Sequence, residues 1–288
     1  MPLLIISFTY NILSKEKELG TLRLLSSQPI STIDWLLQKT VIRFIVFTVI
    51  SLLLLLFINV QAQAEINRLI YLDIKDGQAF EEVCIDYGLK VAQAAVDKKG
   101  MLGWNVWKKI GKTGNSNYVV AIQFKDIDQA TGNIKWNGLK ATGIDQKHIK
   151  LEWNVVRDDL YRIHSSIPGE SSYVVINYSK PTDLVKHLSY EVDYITPVMK
   201  ELISKNQLNR TSWNVQAKIY PSGTNEKYSM FTADGYTSFS DAIKSQDFRL
   251  NVNNFKVWDN AIKKVHGDKT MEGSIPNGFE YKPIYKLI

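Results

Sequence analysis

The spacing of hydrophobic positions changes twice along this chain. Met1 to Leu13 is apolar but too short to span a membrane with Lys15 beside it. Ser14 to Leu25, SKEKELGTLRLL, alternates charge with leucine at helical spacing; Ser26-Ser27-Gln28-Pro29 breaks it before a second amphipathic stretch, Ser31 to Leu37. Phe44 to Val60 then runs apolar without a charge, proline or glycine. From Ile66 onward, alternating β-rich segments and helical stripes take turns to the end of the chain.

The apolar run, extended backwards by Val41 and Ile42, reaches the roughly 17–20 residues needed for a bilayer-spanning helix. It also reads as a secretory signal. Lys39 and Arg43 supply a basic flank, the leucines an apolar core, and Ala62-Gln63-Ala64 an A-x-A cleavage site before Glu65. Lys15, Lys17, Arg23, Lys39 and Arg43 all precede the run, so the positive-inside rule keeps residues 1–43 in the cytoplasm and places residues 65–288 outside it. The expected product is membrane-associated through Phe44–Val60, with its folded part in the periplasm.

After the run the chain passes twice through the same series of elements. Trp104-Asn105-Val106 recurs as Trp213-Asn214-Val215, and Tyr118 and Tyr228 keep nearly the same offset. Each repeat opens with a strand, Ile66 to Ile74 or Ser172 to Tyr178, and a turn signal, Lys75-Asp76-Gly77 or Lys180-Pro181-Thr182-Asp183. A long helix follows, Ala79 to Lys98 or Asp183 to Lys205, the second bent at Pro197. Next comes a hairpin: Trp104 to Ile110 and Tyr118 to Phe124 about Gly114-Asn115, then Trp213 to Tyr220 and Tyr228 to Ala233 about Pro221 to Asn225. A second helix falls near Asp126 to Gly132, continuing toward Lys140, and near Ser238 to Ser245 with Asn260 to Val265. The closing strands are Val155 to His164 and Phe279 to Leu287. The series is βαββαβ, the ferredoxin-like unit, over residues 66–165 and again over 171–288. The predicted fold class is α+β: two tandem ferredoxin-like units forming an intrachain barrel, after a transmembrane or signal helix at 44–64.

Two resemblances attach to these residues. Ser14, Glu16, Glu18, Gly20, Thr21, Leu22, Leu24, Leu25 and Pro29 form a string that resembles the cytoplasmic segment of ABC-2 type transporter permeases, with Lys39 matching a lysine before the next membrane helix. That resemblance covers about residues 1–60 and implies an ABC ATPase partner. A complete permease has about six membrane helices, which this chain does not supply. The tandem βαββαβ units resemble the dimeric α+β barrel family fused into one chain, which implies two sheets facing each other with helices outside. That family includes small monooxygenases and haem-handling enzymes, and fold alone does not transfer an activity.

Composition adds little. The net charge of +6 is spread along the chain, lysines are mixed with acids, and no basic-aromatic motif recurs on the strands, so no nucleic-acid partner is expected. Cys84 is the only cysteine; it excludes an intrachain disulfide and sits where a buried hydrophobe belongs. His148, His164, His187 and His266 lack helical metal spacing, and neither a phosphate loop nor a dinucleotide fingerprint occurs. Asp158-Asp159 and Glu81-Glu82 are neighbours whose side chains diverge on a strand or a helix. Asn177-Tyr178-Ser179 and Asn209-Arg210-Thr211 match the glycosylation sequon, a short pattern common by chance. No catalytic residue, metal ligand or cofactor is therefore assigned.

Strand alternation puts Trp213, Val215, Ala217 and Ile219 under the helices, and Asn214 and Gln216 on the opposite face with Asn105 and Trp107 of the first unit. Asn105, Trp107, Asn214 and Gln216 are the candidate ligand-cleft residues, offering amide hydrogen bonds beside an aromatic wall. The expected function is an exported or anchored barrel that binds an unknown ligand. The alternatives are a permease component and a barrel monooxygenase.

Overall fold

The computed structural model describes residues 41, 64–111, 114–132, 134, 136–247, 256–257, 260, 279 and 281–288. The permease-like string, the apolar run Phe44–Val60, the A-x-A site and the expected helix at Asn260–Val265 lie outside the described residues, apart from Val41, Ala64 and Asn260. Among the described residues no helix is long and apolar enough to cross a membrane. Residues 63–288 form one compact unit.

The strands follow from alternation and the helices from their caps. β1 (Ile66–Ile74) leads into α1 (Gly77–Val83), whose first turn is capped by the Asp76 carboxylate accepting from the Ala79 amide. A wide π turn at Cys84–Gly88 joins α1 to α2 (Leu89–Asp97). β2 (Gly103–Lys109) and β3 (Tyr118–Phe124) make the hairpin, followed by α3 (Ile127–Thr131) capped by Asp126 and α4 (Gly138–Thr142) capped by Asn137. β4 (Trp153–Ile167) closes the first repeat. The second repeat runs β5 (Tyr173–Ser179), α5 (Leu184–Tyr190) capped by Asp183, α6 (Thr196–Ser204), β6 (Ser212–Tyr220), β7 (Met230–Tyr236), α7 (Phe239–Lys244) capped by Ser238, and β8 (Ile284–Leu287). Each capping oxygen satisfies an amide that the first helical turn leaves without a partner.

A π turn at Glu191–Ile195 joins α5 to α6, immediately before Pro197. The bend expected at Pro197 is therefore a turn shared by both repeats. The first repeat makes it without a proline, so proline is not its cause; Pro197 occupies the first turn of α6, where a missing N–H costs little.

The strands close into a barrel in the order β1-β3-β2-β8-β5-β7-β6-β4. Each repeat contributes four neighbours, β4-β1-β3-β2 and β8-β5-β7-β6, the sheet order of a ferredoxin-like unit. The two sheets join along their edges, β2 to β8 and β4 to β6, so they are halves of one closed antiparallel barrel rather than two separate facing layers. Closure satisfies edges that two open sheets would leave bare.

The register corrects one sequence anchor. Trp104 pairs with Ile122 and Trp213 with Asp234, which lengthens the second hairpin by three residues (234 − 213 = 21 against 122 − 104 = 18). Tyr118 therefore corresponds to Met230 and not to Tyr228. Tyr118 lies in the outer layer with Phe80 and Cys84, whereas Tyr228 joins the cluster inside the barrel.

Helices cover the outside. Trp213, Val215, Ala217 and Met230 pack under α5 and α6 with Ile195, Val198, Met199 and Leu202, as the alternation predicts. In the first repeat, Ile66, Ile122 and Phe124 pack with Ala92, Ala95 and Met101. Cys84 is buried, and burial raises its thiol to about 11, which fits a hydrophobe's role rather than a nucleophile's. The neighbouring carboxylates diverge: Asp158 pairs with Arg68 at 2.6 Å on the outer face, while Asp159 is fully buried inside.

Glu81 tests how the first helix is held to the sheet. It takes hydrogen bonds from the Tyr118 hydroxyl and Lys108, each at 2.6 Å. Burial pushes the Glu81 carboxyl up, but Lys108 and Tyr118 outweigh it and leave the carboxyl below its ordinary value. A depressed carboxyl contributes stability above its unfolded pKa and loses it as pH falls through the folded one. Tyr118→Phe is expected to cost about 1 kcal/mol at neutral pH, with the gap to the parent protein narrowing below about pH 4. Urea titrations of both proteins at several pH values check this; a gap independent of pH contradicts it.

Candidate functional site

The barrel interior is built from the inward-facing positions of every strand, and the two repeats supply equivalent residues to it. Tyr71 on β1 lies opposite Val119, and Tyr178 on β5 opposite Phe231, which are matching places in the two hairpins. Their hydroxyls meet at 2.6 Å. Tyr161 on β4 lies opposite Lys218, and Tyr285 on β8 opposite Lys109, again matching places. Tyr71, Tyr161, Tyr178 and Tyr285 are all at least 96% buried, and desolvation raises each phenol, so all four stay protonated at neutral pH.

The pseudo-symmetry breaks where charge enters. Arg157 lies opposite Tyr71 and holds its guanidinium 4.0 Å from that ring's centroid. At the matching place in the second repeat, Tyr281 bridges to Tyr178 and stacks on it with centroids 5.9 Å apart. Asp159 has Pro283 as its counterpart, since Leu69 faces the one and the Ile176 amide bonds to the other. Among the described residues the Arg157–Asp159 pair therefore has no counterpart at the matching places of the second repeat.

Asp159 sits at the centre of that cluster. Its Oδ2 is 2.7 Å from Arg157 Nε and 3.4 Å from Lys218 Nζ, and it accepts from the Tyr161 hydroxyl at 3.1 Å. Lys218, nearly as buried, also reaches Glu226 at 2.7 Å. Burial pushes the Asp159 carboxyl above its ordinary value, and Arg157 and Lys218 pull it back without cancelling that. For Arg157 burial works against the charge, but its surroundings, Asp159 among them, outweigh that and hold the guanidinium protonated. Among the described residues Asp159 Oδ1 has no hydrogen-bond partner although it is fully buried. A bare buried carboxylate oxygen is costly, and such groups almost always hold a donor.

A run of amides continues the polar lining. Asn67 donates to Gln216 Oε1 at 3.2 Å, and Gln216 donates to Asn214 Oδ1 at 2.9 Å. Asn67 Oδ1 is buried without a hydrogen-bond partner among the described residues.

Of the four residues expected from sequence, Asn214 and Gln216 are joined here. Trp107 packs against the central tyrosine cluster, and Asn105 lies opposite Ala121 just as Asn214 lies opposite Ala233. Sequence reasoning missed Asn67, Arg157, Asp159, Lys218 and the four tyrosines. One signal was present: each Trp-Asn-Val is followed after two residues by a lysine, Lys109 and Lys218, and both lysines are buried. Buried lysines at repeated positions mark a polar interior, because lysine is rarely buried unless paired.

Fold and site together define a closed α+β barrel of two fused ferredoxin-like repeats with a tyrosine-lined interior that holds the Arg157, Asp159 and Lys218 cluster. No family model and no curated protein matches the chain. Solved structures match the chain at low identity. A candidate monooxygenase from Lactobacillus acidophilus is 10% identical over 78% of this chain and 94% of its own, with a TM-score of 0.42. An anthrone oxidase-like protein is 11% identical over 79% and 93%, also at 0.42. A heme-binding protein from Thermus thermophilus is 6% identical over 78% and 91%, at 0.39. At these values no activity passes from them to this chain.

Proposed function

We propose that residues 64–288 are a binding module that takes a small polar molecule into the barrel interior, with Asp159 as its principal acceptor. The observation that supports this is the buried, unpartnered Oδ1 of Asp159 beside a protonated Arg157 whose side chain is one-third exposed. A ligand amine, amide or hydroxyl donated to Asp159 would satisfy it, and the ring of Tyr71 with the guanidinium above it offers a flat wall for the remainder. Held by Phe44–Val60, the module would stand outside the cytoplasm.

Ligand-observed NMR with a library of small amines, amides and polyols tests the reading. Compounds are expected that bind the parent protein but not Asp159→Asn, with near-ultraviolet circular dichroism showing that the variant keeps its packing. A library without such compounds, or binders indifferent to Asp159→Asn, removes the reading. The location has its own check. Fractionated cells should hold the protein in the membrane, with the barrel open to protease added to the periplasm; a barrel protected until the cytoplasm is opened contradicts export.

A further inference from the structure

Closure of the barrel leaves part of one edge bare. β4 is fifteen residues long; β1 pairs with Trp153 to Arg162, but β6 pairs only from Leu160 to Ile167. β6 ends at Tyr220 opposite Leu160, and Pro221, which has no N–H, follows it. On that side the backbone of residues 153–159 has no neighbouring strand among the described residues.

The side chains of this overhang are apolar and exposed. Trp153, Val155 and Val156 are 45%, 57% and 44% exposed. Trp153 and Val155 lie opposite Ile74 and Leu72, which belong to the outer layer, so both point outward. The register shift between Tyr71 and Leu72 makes Val156 an extra residue, which accounts for two consecutive exposed valines. The connection leading into β4 adds Trp136, Leu139 and Ile144, each at least 44% exposed. Natural sheet edges are usually blunted by lysine or proline; Trp153 to Val156 contains neither.

We propose that this edge is the interface for a second copy of the same chain, with two β4 strands pairing antiparallel about a two-fold axis at Asn154. The strand's own sequence selects that partner and register. Directly opposed residues must point to the same face. Centring on Asn154 sets Trp153 against Val155 twice on the outer face and Asn154 against Asn154 between them, an apolar and amide match with no like charges opposed. Centring on Val155 puts Glu152 against Asp158, two acids. Centring on Trp153 leaves only Trp153 paired within the strand, where centring on Asn154 pairs Trp153, Asn154 and Val155. An isologous contact of this kind closes at two copies.

Cysteine cross-linking of the full-length protein tests the proposal, because Cys84 is the only native thiol and is buried. Asn154→Cys places two thiols opposite each other at a separation a disulfide can bridge. Under mild oxidation it is expected to give a covalent dimer, while Val185→Cys, at a 76% exposed position of the second repeat, stays monomeric. Adding Val155→Lys to Asn154→Cys should abolish the cross-link and leave the circular dichroism spectrum unchanged. A monomer from Asn154→Cys, equal cross-linking at both positions, or a cross-link that survives Val155→Lys overturns the proposal. So does a stable complex with an unrelated extended peptide at this edge in place of the second copy.

Discussion

Asp159→Leu is expected to lower the unfolding free energy by about 3–5 kcal/mol, the cost of leaving buried cations without their counter-charge. Arg157 and Lys218 would both lose the carboxylate that lies 2.7 and 3.4 Å away, and the Tyr161 hydroxyl would lose its acceptor. Lys218 keeps Glu226, so the larger share of the loss falls on Arg157, which is held over Tyr71 by its ring and by Asp159. The double variant Asp159→Leu, Arg157→Met should recover part of the loss, since removing both partners of a buried pair costs less than removing one. Guanidinium titrations of the parent, both single variants and the double variant give the four free energies. Additive losses would show that Asp159 and Arg157 are not coupled and that the centre of the barrel is held by its tyrosines alone.

Trp213→Ala carries the second large effect, again about 3–5 kcal/mol, because a nearly fully buried indole leaves a cavity that the surrounding residues fill only in part. Its repeat-mate Trp104 should cost clearly less. The helical residue over Trp213 is drawn from a cluster containing Ile195 and Val198, whereas Trp104 lies against Gly88, whose Cα would place a Cβ only 3.3 Å from the indole. Glycine lets the helix backbone itself lie against the Trp104 ring, and Trp104 is less buried than Trp213. The two alanine variants, compared by denaturant titration, should therefore rank in that order. Equal losses would mean that the repeats pack their tryptophans alike despite the different residues above them.

Much of the fold was legible because both periodicities are strong and are read twice. Ile66–Ile74 and Tyr118–Phe124 fall where alternation puts them, the caps at Asp76 and Asp183 sit at the turn signals, and Ser238 caps the helix expected to start there. The separation of Trp213, Val215 and Ala217 from Asn214 and Gln216 also held, since a strand's side chains must alternate between faces. Local sequence misjudged the hairpin offset: Tyr118 and Tyr228 look equivalent by position, yet three extra residues in the second hairpin make Met230 the counterpart of Tyr118 and leave Tyr228 before the start of β7.

The candidate site was less legible, and the reason is distance along the chain. Tyr71 and Tyr178, hydrogen-bonded at 2.6 Å, are 107 residues apart, and Asn67 reaches Gln216 across 149. Asp159 read as one of two adjacent acids; alternation could say that its neighbour faces the other way but not that Arg157 and Lys218 would converge on it. The sequence by itself determined the repeat, the order of strands and helices, and which side chains share a face, because these depend on neighbours within a few residues. The tertiary structure alone decided that the sheets close edge to edge, that Arg157, Asp159 and Lys218 meet inside the barrel, and that β4 overhangs β6. These depend on the register between strands from different repeats, which no local pattern encodes.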